Sequence, residues 1–156
     1  MIIGVDPGLT GYITILWDDG SHIISHPIPI YKVKTKKHLD TGALYNILAR
    51  YGAGYAVIEK QFVVPGQGLG SSAKTMMNFG IILGMLIGLG IKTYIVDAKE
   101  WQKETFGSTE DTKAASVLFA QQIYPHISLK TSKRINAANN HNLADSLCIA
   151  HYGRGL

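Results

Sequence analysis

Three acids in this sequence stand where chemistry could be done. Asp6 follows the apolar run Ile2-Ile3-Gly4-Val5, and Glu59 follows Tyr55-Ala56-Val57-Ile58. Asp145 lies in Asn142-Leu143-Ala144-Asp145-Ser146-Leu147. A carboxylate at the end of a buried strand must be neutralised, hydrogen-bonded or bound to a cation, because a lone buried charge is costly. Asp6 alone reads equally well as an acid capping the Pro7-Gly8 turn. Converging carboxylates read differently. They bind Mg²⁺ or Mn²⁺, hard cations that take oxygen ligands. A pair of such ions can activate water and stabilise the leaving oxygen in phosphodiester cleavage. His141 and Asn142 precede Asp145 by four and three residues, so all three share one helical face.

The elements that must position these acids follow from periodicity. Residues 2–5 are β-branched and apolar apart from Gly4, and read as a buried strand. Residues 12–17 alternate as a second strand, and Asp18-Asp19-Gly20 is a hairpin turn leading to a third over 21–28. Residues 31–37 read as a basic loop. Asp40 or Thr41 caps a helix through about Arg50, with Leu44, Ile47, Leu48 and Tyr51 on its apolar face. The next strand, 55–59, follows that helix and is expected parallel to the first through a crossover. Neighbouring strands lie about 5 Å apart, so adjacency would bring Asp6 and Glu59 out of the sheet side by side.

Residues 60–70 form a glycine-rich loop. It is not a phosphate-binding P-loop, since no Gly-Lys-Ser/Thr ending follows. Ser71 or Ser72 caps a long helix to about Leu89. Gly80, Gly84 and Gly88 mark one stripe of it, suited to close backbone approach. That approach would be to its own sheet or to a second copy of the chain. Residues 92–96 are a fifth strand. Asp97 caps a short helix with Trp101 and Lys103. Another helix runs from 109–112 to about Tyr124, with Lys113 in its first turns. Residues 125–140 are polar and basic, and a last helix covers about 142–152.

With 156 residues, 46% hydrophobic and 17% charged, the chain is expected to be one globular domain, 1–156, rather than disordered. A single cysteine, Cys148, excludes an internal disulfide framework. No run is long enough to span a bilayer. With no signal peptide visible, a cytoplasmic location is expected. The net charge of +4 leans toward polyanionic partners. Its placement says more: Lys32, Lys34, Lys36 and Lys37 form one cluster, and Lys130, Lys133 and Arg134 another.

Three blocks together carry a resemblance. Gly4-Val5-Asp6-Pro7-Gly8, Ile58-Glu59-Lys60-Gln61-Phe62 and Ala144-Asp145-Ser146-Leu147 look like the motifs of RuvC-type Holliday-junction resolvases of the RNase H-like superfamily, in the right order and over nearly the whole chain. The loose fit to the bacterial pattern suggests a divergent, phage-type member. The resemblance implies an α/β, RNase H-like fold: a five-stranded mixed sheet, order 3-2-1-4-5, with helices on both faces. It implies a Mg²⁺-dependent endonuclease, with Mn²⁺ able to substitute, that resolves four-way and related branched DNA and leaves 5′-phosphate ends. Asp6, Glu59 and Asp145 would be metal ligands. Phe62 would stack on a base near the junction. Lys103 and Lys113 would hold the scissile phosphate. Lys60, Lys34, Lys36, Lys37, Lys133 and Arg134 would contact DNA. A homodimer through residues 71–89 would set two sites on opposed strands.

One position departs from that pattern. The family carries an acid, or sometimes a histidine, three residues before the last aspartate, where this chain has Asn142. Three accounts stand open: His141 substitutes from the same face, Asn142 is natural and one metal site is weaker, or Asn142 is an engineered Asp→Asn change. Under the last, the protein would bind junctions without cutting them.

Overall fold

The computed structural model describes residues 1–51, 54–63, 66, 68–130 and 138–156. Five strands form the main sheet: β1 (Ile2–Val5), β2 (Tyr12–Leu16), β3 (Ile23–Pro27), β6 (Tyr55–Glu59) and β7 (Lys92–Val96), in the order β3-β2-β1-β6-β7. β1, β2 and β3 form an antiparallel meander, while β1, β6 and β7 run parallel. This is the mixed sheet expected from the sequence, with β1 and β6 adjacent at its centre.

β1 is buried throughout because helices cover both faces. On one face α1 (Thr41–Arg50) and α2 (Leu69–Gly88) pack Leu44, Leu48, Ile82 and Leu86 onto Ile3, Val5, Ile15 and Ile58. On the other lie α3 (Ala98–Phe106), α4 (Thr112–Ile123) and α5 (His141–Gly153). There Leu16 meets Ala120, Leu147 and Ala150, while Ile2 and Val57 meet Trp101 and Ile149. Polar caps start three helices. The side chains of Asp40, Asp111 and Asn140 accept from the backbone N–H of Ala43, Ala114 and Leu143.

The structure corrects several expectations. Residues 31–37 are not a loop. β4 (Ile30–Val33) and β5 (Lys36–Leu39) form a second, two-stranded sheet, with Val33 opposite Lys36 and Lys34 at φ 54° in the turn between them. The interspersed lysines hid the β-branched and aromatic residues Ile30, Tyr31 and Val33, which suit a strand. α2 starts at Leu69, earlier than a serine cap would place it, with Gly68 at the N-cap. α4 begins at Thr112, at the end of the expected 109–112 range, because Asp111 provides the cap. Asp97 stands at the N-cap of α3 without a capping bond from its side chain, which is ion-paired with Lys60 at 3.9 Å. Gly80, Gly84 and Gly88 do not press on the sheet. Each is exposed, and a Cβ there would meet nothing within 4 Å.

Candidate active site

Asp6 lies one residue past β1, and Glu59 ends β6. Val5 pairs with Ile58 in parallel register, so the next residue of each strand, Asp6 and Glu59, leaves the sheet beside the other. The turn after β1 folds back tightly. The Asp6 N–H donates to the Tyr12 carbonyl at 3.0 Å, and the Gly8 N–H donates to Asp6 Oδ1 at 3.3 Å. Gly11 is the glycine this turn requires, since a Cβ there would lie 2.1 Å from the Asp6 carbonyl oxygen.

α5 delivers the third acid. It lies directly on β1 because Gly4 has no side chain: a Cβ there would stand 2.3 Å from the Ser146 carbonyl oxygen and 2.4 Å from the Ala150 nitrogen. Gly153 does the same against Ile2, whose Cγ2 lies 2.7 Å from where a Cβ would be. A buried hydroxyl chain fixes the helix further. Thr14 Oγ1 meets Ser146 Oγ at 2.7 Å and Ser25 Oγ at 2.8 Å, and Ser146 donates to the Leu143 carbonyl at 3.0 Å. With α5 so placed, Asp145 comes within electrostatic range of both Asp6 and Glu59.

All three carboxyls are held above their ordinary range. Burial and then the Glu59 charge push Asp6 up to about 7, against the pull of the Gly8 N–H, and Asp145 adds to the rise. Burial raises Glu59, and Asp145 raises it further. Hydrogen bonds from Trp101 Nε1 at 2.8 Å and Gln61 Nε2 at 3.4 Å oppose the shift. Burial also raises Asp145, opposed by the nearby Ser116 hydroxyl and by the charges of His141 and Lys113. Three partly buried acids with so little cationic compensation favour an added cation, and their oxygen donors suit a hard one. As the side chains stand, no three His, Cys, Asp or Glu among the described residues are grouped closely enough to hold a metal ion.

The other expected residues separate into two groups. Lys113 and His141 are brought to Asp145. Phe62 is 54% exposed, so it is not a core residue, and the Lys60 ammonium lies 4.8 Å from its ring centroid. Lys103 lines a separate shallow cleft between α3 and α4, with Lys99, Gln102 and Thr112. Lys34, Lys36 and Lys37 are exposed on the β4–β5 hairpin. Lys133 and Arg134 lie outside the described residues. Asn142 uses its amide as a donor: Nδ2 gives a hydrogen bond to the Thr10 carbonyl at 2.9 Å, tying α5 to the turn after β1. A carboxylate could not make that bond.

Two site residues were missed from the sequence. Trp101 is 1% exposed, and its indole N–H orients Glu59. A tryptophan in a short helix otherwise poor in apolar residues was the available signal, since a buried indole needs an acceptor. Ser116 carries no such signal.

No family model and no curated protein matches the sequence. Solved structures do. A Thermus thermophilus RuvC structure matches with TM-score 0.60 at 17% identity, over 97% of this chain and 91% of that one. T. thermophilus RuvC in complex with a Holliday junction substrate matches with TM-score 0.60 at 15% identity, over 97% and 90%. At such identities the likeness is one of fold: this chain has the RNase H-like fold of RuvC.

Proposed function

We propose that this protein is a metal-dependent endonuclease that cuts four-way and related branched DNA. The observation that carries the reading is the side-by-side exit of Asp6 and Glu59 from β1 and β6, with Asp145 within electrostatic range of both and all three carboxyls raised. The likeness in fold to RuvC, one example of which holds a Holliday junction substrate, supports the choice of DNA.

Asp6, Glu59 and Asp145 would hold Mg²⁺ or Mn²⁺, with the Asn142 amide oxygen as a weaker ligand. When bound, such an ion polarises the phosphodiester and lowers the pKa of the attacking water. The chain's own residues set the geometry. Trp101 holds the Glu59 carboxylate in place. Lys113, already beside Asp145, neutralises charge developing on the scissile phosphate, and Lys103 reaches the strand from the neighbouring cleft. Exposed Phe62 offers a face on which an unpaired base can stack, with Lys60 over its ring. Lys34, Lys36, Lys37, Lys133 and Arg134 take the arms. Water attacks in line, and the 3′ oxygen leaves, so the product end carries a 5′ phosphate. A homodimer would cut two opposed strands.

A junction-binding protein with little or no cleavage is the second reading. It is favoured by the Asn142 bond to Thr10, which commits that side chain to a neutral donor. Nicking of a synthetic four-way junction in Mg²⁺ separates the two. Cleavage that disappears in Asp6→Asn supports the enzyme, and tight binding without cleavage supports the second reading. A large gain in Asn142→Asp would show the site to be one acid short.

A further inference from the structure

The β4–β5 hairpin is built in a way that its own chain does not explain. In the antiparallel register Lys32 stands directly opposite Lys37, and like charges so placed are destabilising. Lys34 occupies the turn and Lys36 follows it. Residues 30–39 contain no acid. All four lysines are exposed, and none is ion-paired to a described residue. The charges also lie on both faces. Lys32 and Lys37 share one face with Ile30 and Leu39, while Lys36 shares the other with Val33, Tyr31 and His38.

The hairpin is nonetheless firmly held. Leu39 is buried, the Asp40 N–H donates to the Pro29 carbonyl at 2.9 Å, and Lys74 of α2 donates to the Lys37 carbonyl. The Tyr31 and His38 rings stack at 5.3 Å across the ribbon. Its base adjoins the candidate site: Pro29 and Ile30 line one cleft with Thr10, His141 and Asn142.

We infer that the β4–β5 hairpin is a ribbon that seats in the major groove of a duplex arm beside the cut site, with its lysines on the phosphates of both groove walls. The inference rests on the nuclease reading above. A flat anionic surface would call for cations on one face, whereas a groove with phosphates on either side suits cations on both. The major groove, about 12 Å wide, admits a two-stranded ribbon. Four extended residues rise about 14 Å, so the tip reaches about four base pairs along the arm from the ribbon's base. A phosphate wall also removes the repulsion between Lys32 and Lys37.

The test is the salt dependence of binding to a four-way junction with long arms, read by fluorescence anisotropy from 50 to 200 mM salt. Each phosphate contact contributes about 0.9 to the log–log slope, so four lysines account for roughly a 10²-fold loss of affinity over that range. The variant with Lys32, Lys34, Lys36 and Lys37 all changed to Gln should lose a slope of about 3 to 4, and the corresponding Arg variant should keep it. Circular dichroism shows whether each is folded. Guanine N7 methylation of the arm, a major-groove reaction, should be blocked by the native protein and restored by the Gln variant. A folded Gln variant with the native slope overturns the inference and leaves the nuclease reading standing. Loss of slope without N7 protection overturns the groove seating. Native protein that binds no DNA overturns both.

Discussion

At the scale of single residues, Asp6 links protons to stability and, on the proposed reading, to metal. Its folded-state carboxyl titrates at about 7 against an ordinary value of 3.8. Between those values the native state binds more protons than the unfolded one, so metal-free stability falls as pH rises through that window and levels off above about 7. On the proposed reading a divalent cation competes for the same site, and it competes best once the proton has gone. The rise in melting temperature on replacing EDTA with Mg²⁺ should therefore be larger at pH 8 than at pH 6. The difference should shrink in Asp6→Asn. Equal rises at both pH values in the native protein would show that Asp6 is not the ligand. Asn142→Asp should behave in the opposite sense without metal. It loses the bond to Thr10, worth about 1 kcal/mol, and adds a fourth carboxylate to the cluster. Chemical denaturation in EDTA measures that loss.

At the scale of elements, the seating of α5 on β1 decides whether there is a site. Gly4→Ala places a methyl against the Ser146 and Ala150 backbone, which cannot yield as a flexible side chain could. Overpacking of this kind costs about 1–3 kcal/mol, and denaturant melts of the variant should show it. Cleavage should fall further than stability alone explains, because a displaced α5 carries Asp145 with it. This is also where the sequence was most and least informative. Strand order and the Asp6–Glu59 pairing were legible, because apolar runs ending in acids and a helix between two strands admit few topologies. The role of Gly4 was not, since close approach of a helix from the far end of the chain leaves no local trace. The β4–β5 ribbon escaped because lysines on both of its faces leave no clean apolar–polar alternation to read. The Asn142 bond to Thr10 joins residues distant in sequence, and only the fold reveals it.

At the scale of the whole molecule, the outward face of α2 is the open surface. Met76, Met77 and Ile87 are 38%, 56% and 62% exposed, next to the bare stripe of Gly80, Gly84 and Gly88. We propose this face as the dimer contact. Since nothing lies within 4 Å of a Cβ at Gly84, Gly84→Trp should leave the monomer folded. Light scattering should then show native dimer and variant monomer, and a folded variant that remains dimeric would exclude α2. Among the described residues no helix is long and apolar enough to cross a membrane.

The way α5 closes over β1 also sets a clock on synthesis. Asp6 and Asp145 are separated by about 140 residues. At 5–20 residues per second, the ribosome delivers the last acid roughly 7–30 s after the first. Throughout that interval the nascent chain holds Asp6, and later Glu59, without the helix that completes the cluster. A polypeptide stalled before α5 would carry two of the three acids of the proposed site and lack the third. On the proposed reading, polysome-bound fragments ending before residue 141 should accordingly not cut DNA.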